Sequence, residues 1–219
     1  MKKAKKVVAL ALCAVMLVVG SVAGTMAYLT SQDAVTNTFT VGNVVITLDE
    51  RNVDNDQVDG ATPARDKSND YKLIPSGEYV KDPTVHFAAN SKASYLFVKV
   101  ENGLVKTIDG KAVNIEAAAS ADYKTIAEQI TTNGWAQLTG TNNIYFKQVP
   151  AAGATQVDYP VFAEFEIADN VDNDTLAKFA GAQINVTAYA VQADGFDGAA
   201  AAWAATFGKT TQTPETPEA

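Results

Sequence analysis

The sequence predicts an all-β fold, an antiparallel β-sandwich with short helical insertions. Apolar and polar residues alternate along about seven short segments, which is the pattern of strands with one buried face. The connections between these segments are long enough for Greek-key crossovers. Helical spacing of apolar residues occurs only in short stretches, and no strand–helix–strand alternation runs through the chain. A parallel α/β sheet is therefore disfavoured.

The predicted strands are rich in β-branched and aromatic residues and are bounded by turn-forming residues. They cover residues 39–48, 71–74, 84–88, 95–100, 143–149, 161–167 and 183–191. Gly42 indicates a bulge in the first strand, and the turn residues 75–77 close the second.

Three stretches place apolar residues on one helical face. The first lies between Asp122 and Thr131, the second follows the cap candidate Asp174, and the third follows the cap candidate Asp197. The apolar residues concerned are Tyr123, Ile126, Ala127 and Ile130, then Leu176, Phe179 and Ala180, and then Ala199, Trp203 and Phe207. We expect these helices to be insertions between strands.

The composition excludes several classes of protein. The chain has 219 residues, a formal net charge of −8, one His and one Cys. This length favours one domain. No Lys/Arg-rich block follows the first six residues, which argues against a nucleic-acid partner. A single Cys and a single His cannot build a disulfide within the chain or a Cys/His zinc cluster, so core packing must stabilise the fold.

The first 27 residues are typical of a signal peptide. Four lysines precede an apolar run, and small residues follow it. Thr25 and Ala27 fit positions −3 and −1 of a cleavage site before Tyr28. A retained membrane anchor is the alternative, because the uncharged run from 7 to 26 is about long enough to cross a bilayer.

Two further segments are too polar to pack into a core. Residues 49–70 are rich in Asp, Asn and Lys and predict a long surface loop. Residues 208–219 are polar and contain two prolines, and we expect a disordered tail there. The predicted organisation is therefore a signal peptide over 1–27, a β-sandwich domain over 28–207 and this tail.

No pattern of catalytic residues is present in the sequence, and we expect a protein that is not an enzyme and uses no cofactor. The His-Glu-x-x-His motif of zinc proteases and the Gly-x-Ser-x-Gly motif of serine hydrolases are both absent. The only histidine, His86, alternates in face with Val85 and Phe87 on a predicted strand. An outward-facing or edge histidine is favoured over a metal ligand or a catalytic base.

Calcium is the metal for which the sequence offers ligands, although we expect no metal site. The pentapeptide Asn-Val-Asp-Asn-Asp occurs at 52–56 and at 170–174, and oxygen-rich loops suit this ion. Neither copy has the spacing of an EF-hand. We favour a solvated acidic loop for the first copy and a helix cap at Asp174 for the second. If calcium binds, the candidate ligands are Asp54, Asp56 and Asp59.

Five aromatic residues lie where the strand or helix period can bury them. They are Trp135, Trp203, Tyr95, Tyr145 and Tyr189. Core packing is the usual role of such residues. The alternative is an exposed platform that stacks sugars, since β-sandwiches host such sites. An extracellular glycan- or partner-binding module is therefore the second candidate function.

Four segments carry motifs that occur together in one known family. The junction Gly-Thr-Met-Ala-Tyr-Leu-Thr at 24–30 precedes Asn-Thr-Phe-Thr-Val-Gly-Asn-Val at 37–44. Residues 73–85 contain Pro-Ser-Gly and then Lys-Asp-Pro, and in residues 90–100 Asn-Ser leads into a strand. Residues 187–196 are similar to the closing strand of the clostridial proteins of that family. In combination these segments resemble the TasA/camelysin family of Gram-positive bacteria.

This resemblance implies a jelly-roll-like β-sandwich that is secreted to the cell surface or the biofilm matrix, often as fibres. It also implies a signal peptide that is cut by a SipW-type peptidase. For fibre-forming members it implies that the freed N-terminus completes the sheet of a neighbouring subunit, and an extended peptide can do so through backbone hydrogen bonds. The corresponding donor-strand candidates here are Tyr28, Leu29, Ala34, Val35, Phe39 and Val41.

We therefore expect a secreted structural protein that associates with itself into filaments after cleavage between Ala27 and Tyr28. Its expected partners are other copies of the chain and the SipW-type signal peptidase. The membrane is expected to hold only the uncleaved signal segment.

Overall fold

The computed structural model describes residues 30–34, 37–38, 44–53 and 64–208, and these form fourteen strands and three short helices. The strands are β1 (Thr30–Ala34), β2 (Asn37–Thr38), β3 (Ile46–Arg51), β4 (Arg65–Asp66), β5 (Glu78–Val80), β6 (Thr84–Phe87), β7 (Ser94–Asn102), β8 (Val105–Ile108), β9 (Lys111–Asn114), β10 (Ala136–Gln137), β11 (Ile144–Val149), β12 (Val157–Pro160), β13 (Glu164–Glu166) and β14 (Ile184–Gln192). The helices are α1 (Ile126–Thr132), α2 (Asn173–Lys178) and α3 (Ala199–Thr206).

The strands pair in an antiparallel manner and form two main sheets. The larger sheet has the order β10-β11-β7-β14-β1-β2, and the smaller has the order β12-β6-β3-β4. Two further pairs are β13 with β5 and β8 with β9. The longest pairing joins β7 and β14, in register from Ser94 opposite Gln192 to Asn102 opposite Ile184. The structure confirms the predicted all-β, antiparallel sandwich with short helical insertions.

The main core consists of the inward side chains of both sheets. Successive side chains of a strand point to opposite faces, so alternate residues of each strand face this core. Central members of this buried cluster are Ile46, Leu48, Val85, Phe87, Leu96, Val98 and Ala188.

A second, smaller core lies on the outer face of the larger sheet. There Phe97 of β7, which is 0% exposed, packs in one cluster with Ala199 and Ala202 of α3. The Phe97 ring lies 5.1 Å from the ring of Trp203, between centroids. Strand β7 is consequently covered on both faces, which explains its continuous apolar run.

Side-chain hydrogen bonds cap two of the three helices in the described part of the chain. Thr125 caps α1 in a capping box with Glu128. Asp172, not the predicted Asp174, caps α2, because Asp172 has an extended backbone and accepts the N–H of Thr175 at 2.7 Å. The prediction of a cap at Asp197 is also wrong, since Gly198, with φ of 125°, occupies the N-cap of α3.

Several predicted strands correspond to observed ones, and others do not. The predictions over 84–88, 95–100, 143–149 and 183–191 correspond to β6, β7, β11 and β14. The first predicted strand is represented by β3, which extends beyond residue 48 to Arg51, and residues 39–43 with the Gly42 bulge lie outside the described residues. The prediction over 161–167 shortens to β13.

The predicted strand over 71–74 is wrong. The hydroxyl group of Tyr79 accepts the N–H of Ile74 at 2.8 Å and donates to the carbonyl of Lys72 at 2.8 Å. A side chain therefore occupies backbone groups that a strand would offer to its neighbour. The predicted loop over 49–70 is wrong at its ends, because Glu50 and Arg51 of β3 pair with β4.

The predicted signal peptide over 1–27, the cleavage site at Ala27 and Tyr28, and the tail beyond Gly208 lie outside the described residues. No helix within the described ranges is long and apolar enough to cross a membrane.

Candidate functional site

The N-terminal strand β1 lies beside β14 in the larger sheet. The two strands are antiparallel and in register from Thr30 opposite Val191 to Asp33 opposite Ala188. β1 also pairs with the two-residue strand β2. Part of the predicted donor segment thus pairs with the sheet of its own chain.

Among the described residues, one of the predicted donor candidates lies in this strand. Ala34 is the last residue of β1. The remaining donor candidates, Tyr28, Leu29, Val35, Phe39 and Val41, lie outside the described residues. The described part of β1 pairs with β14 only from Ala188 to Val191. The preceding β14 residues, 184–187, line a cleft of about 310 Å³.

His86 is the centre of a cluster of charged side chains on the outer face of the smaller sheet. Its strand, β6, lies between β12 and β3 and is not at an edge. The two ring nitrogens contact carboxylates, Nδ1 with Asp158 at 2.7 Å and Nε2 with Asp49 at 2.8 Å. Arg65 forms ion pairs with Asp49 and with Asp82. His86 therefore points outward, as predicted, but it is only 9% exposed and the edge position is wrong.

These contacts stabilise the charged imidazolium. Burial opposes the charge of His86, but the hydrogen bonds and charges of Asp158 and Asp49 outweigh it, and the pKa of His86 is raised above 6.5. The hydrogen bond from His86 in turn lowers the pKa of Asp158. Because both nitrogens are occupied by carboxylates, this arrangement leaves none for a metal or a substrate. The geometry is that of a structural bridge between three strands.

A second polar group is buried next to a cleft of about 760 Å³. Glu50, on the inward face of β3, is 5% exposed, and Lys81 is 8% exposed. Lys81 Nζ lies 2.5 Å from Glu50 Oε2 and 5.8 Å from the centre of the Tyr71 ring. Tyr71 and Lys81 line the cleft together with Phe165 and Phe179.

Asn69 completes this group from the segment after β4. Its Nδ2 donates to Glu50 Oε1 at 2.9 Å and to the carbonyl of Arg51 at 2.9 Å. Its Oδ1 accepts the backbone N–H of Val53 at 2.8 Å. Both oxygens of the Glu50 carboxylate are therefore hydrogen-bonded, one by an ammonium group and the other by a carboxamide.

The aromatic residues considered for sugar stacking mostly belong to the cores. Trp135 is 1% exposed, and its Nε1 donates to the carbonyl of Pro160 at 2.8 Å. Tyr95 and Tyr145 are buried as well. Tyr189 and Trp203 are half-buried and pack edge to face on the outer side of the larger sheet. These five residues do not form one exposed platform.

The predicted calcium ligands Asp54, Asp56 and Asp59 lie outside the described residues. The second pentapeptide, at 170–174, lies at the start of α2, where Asp172 serves as the cap. In the part of the chain that the structure describes, no three His, Cys, Asp or Glu side chains are grouped so as to hold a metal ion.

The Glu50, Lys81 and Asn69 group was not predicted from the sequence. One signal was present: Glu50 continues the alternation of Ile46 and Leu48 and so falls on an apolar face, where a carboxylate needs a partner. Comparison with known proteins adds no further residues, because no family model, no curated protein and no solved structure matches this chain.

Proposed function

We propose that this chain is a secreted structural protein of the cell surface or biofilm matrix, and that its copies associate through the N-terminal strand after signal cleavage. The signal-peptide pattern of residues 1–27 and the resemblance to the TasA/camelysin family support secretion. The position of β1 supports the mode of association.

The pairing of β1 with β14 is the observation that carries this proposal. β1 lies at the N-terminal end of the described chain and joins the sheet by antiparallel pairing with β14. The same backbone groups can be offered by the β1 of another copy, and such an exchange of identical elements costs little free energy. When one copy donates to the next, the contact is head to tail and produces a filament if its rotation does not close.

Signal cleavage provides the switch in this proposal. Before cleavage, Tyr28 is joined to an apolar segment that is held in the membrane, so the following strand cannot reach another copy. Cleavage by a SipW-type peptidase frees it. β1 has the sequence Thr-Ser-Gln-Asp-Ala, so backbone hydrogen bonds supply most of the affinity.

The test compares chains that begin at Tyr28 with chains that begin at Thr40. Light scattering and electron microscopy should show concentration-dependent filaments only for the longer chain. Ser31→Pro and Gln32→Pro form a matched pair of variants, because neighbouring residues of a strand point their N–H groups to opposite sides. One of the two should abolish assembly and the other should largely retain it. Identical filaments from both chain lengths would refute strand donation.

A glycan- or partner-binding module is the second candidate function. The cleft of about 760 Å³ favours it, because its volume is in the range of small-molecule sites and its lining mixes aromatic and polar side chains. Binding of an extracellular polysaccharide that is lost in Tyr71→Ala, without filament formation, would favour this function over the first.

A further inference from the structure

We propose that Lys81 and Asn69 form an intramolecular isopeptide bond, with Glu50 as the group that transfers the protons. The three side chains supply an amine, a carboxamide and a carboxylate that contacts both. The reaction joins Nζ of Lys81 to Cγ of Asn69 and releases ammonia.

The carboxylate of Glu50 brings the two reacting groups together. Its Oε2 lies 2.5 Å from Lys81 Nζ, and its Oε1 lies 2.9 Å from Asn69 Nδ2. The nucleophile and the leaving group are thus held on either side of one carboxylate. Holding reactants in this way removes much of the entropic cost of their encounter.

The carboxamide of Asn69 is held and polarised by the backbone. Its Oδ1 accepts the N–H of Val53 at 2.8 Å, and its Nδ2 also donates to the carbonyl of Arg51 at 2.9 Å. A backbone N–H at this oxygen draws electrons from Cγ and stabilises the negative charge that forms when an amine attacks. Val53 therefore has the position of an oxyanion-hole donor.

The proton transfers balance within these residues. Glu50 takes a proton from the Lys81 ammonium group, and the resulting amine attacks Cγ of Asn69. Glu50 then protonates Nδ2, the Cγ–Nδ2 bond breaks, and ammonia leaves. The new amide nitrogen loses its second proton to Glu50, which passes this proton to the ammonia. The products are one amide and one ammonium ion, with Glu50 ionised as at the start.

The surroundings shield the reacting groups from water and leave a route for the ammonia. Glu50 and Lys81 are almost fully buried, and the ring of Tyr71 covers the amine at 5.8 Å. Lys81 also lines both clefts, which give ammonia a route to solvent. The bond would tie the segment after β4 to the segment after β5.

Peptide mapping of the full chain tests this proposal. Trypsin cannot cleave after an acylated lysine, so a linked protein yields residues 68–72 joined to residues 73–92. This branched species is lighter than the sum of its two peptides by about 17 Da, the mass of one ammonia. Fragmentation should place the link between Asn69 and Lys81. Separate peptides over 68–72 and 73–81 from folded protein would overturn the proposal.

Four variants make the test specific. Glu50→Gln, Lys81→Arg and Asn69→Ala each remove one reacting or transferring group, and each should abolish the branched peptide. Lys67→Arg, a change at an exposed lysine of the cleft, should retain it. Retained β-sheet content by circular dichroism shows that each variant is folded. Should one variant fail to fold, the other two give the same comparison.

Two other modifications would contradict the assignment. A succinimide at Asn69 also loses about 17 Da, but it leaves cleavage after Lys81 intact and persists in Lys81→Arg. A loss of about 18 Da with a link from Lys81 to Glu50 would mean that water had left and that Asn69 does not react. The proposal requires the ammonia loss, the blocked cleavage and the dependence on all three side chains.

Discussion

Replacing Phe97 by alanine tests whether aromatic packing holds α3 on the outer face of the larger sheet. Phe97 is 0% exposed, and its ring lies 5.1 Å from that of Trp203 and 6.3 Å from that of Phe207. Removal of a fully buried phenylalanine side chain costs about 3–5 kcal/mol. We expect a loss of about 3 kcal/mol here, because a helix of eight residues at the surface can move to fill part of the cavity.

A double-mutant cycle with Trp203→Ala separates this packing from a general loss of stability. Trp203 is half-buried, so its replacement should cost about 2 kcal/mol. Paired aromatic rings contribute about 0.5–1.5 kcal/mol beyond the area they bury. The double variant should therefore lose about 4 kcal/mol, roughly 1 kcal/mol less than the sum of the single losses.

The assay is equilibrium unfolding in urea, with the free energy of unfolding extrapolated to water. Phe97→Ala combined with Thr125→Ala is the control pair, because Thr125 caps the separate helix α1 and the two losses should add. A loss below about 1 kcal/mol for Phe97→Ala would refute the packing described here. Additivity of Phe97→Ala and Trp203→Ala within about 0.3 kcal/mol would refute the contact between their rings.

Two further expectations concern the smaller sheet and the main core. The pKa of His86 is raised above 6.5, so the ion pairs of His86 contribute fully to the free energy of unfolding below pH 6.5. This contribution is lost as the pH rises through the raised pKa, and the urea midpoint should fall as the pH increases from 6.5 past that pKa. In His86→Gln, Asp49, Asp158 and Arg65 face an uncharged side chain, so this fall should disappear. If the variant and the unchanged protein lost stability in parallel as the pH rises, the bridge from His86 to the two aspartates would be contradicted. Trp135→Phe should cost about 1–3 kcal/mol, because a side chain that is 1% exposed becomes smaller and its hydrogen bond to the carbonyl of Pro160 is lost, and an unchanged urea midpoint would argue against this packing.

The sequence predicts best the long strands that are rich in apolar residues. β7 and β14 are of this kind, since both lie inside the larger sheet and carry buried core residues from Tyr95 to Val100 and from Val186 to Val191. β8 and β9 were missed because their side chains are mostly exposed, so burial imposes no period on them. The strand predicted over 71–74 failed because a tyrosine hydroxyl competes for its backbone, which no local pattern reveals.

The polar groups were less accessible to sequence-based prediction, because their partners come from distant segments. The face of His86 follows from its position between Val85 and Phe87, but its contact with Asp158 depends on the pairing of β6 with β12. Glu50 on an apolar face indicates that a partner is needed, without identifying it. Lys81 and Asn69 meet Glu50 only when the strands have paired.

The different lengths of the two pairings of β14 have a mechanical consequence for a filament. Among the residues that the structure describes, β14 pairs with β7 along nine residues, from Ile184 to Gln192, and with β1 along four, from Ala188 to Val191. Tension between subunits joined by β1 would act on the shorter of these two ladders. Such a filament would break between its subunits before any subunit unfolded, and each released subunit would keep its core intact and its strand ready to pair again.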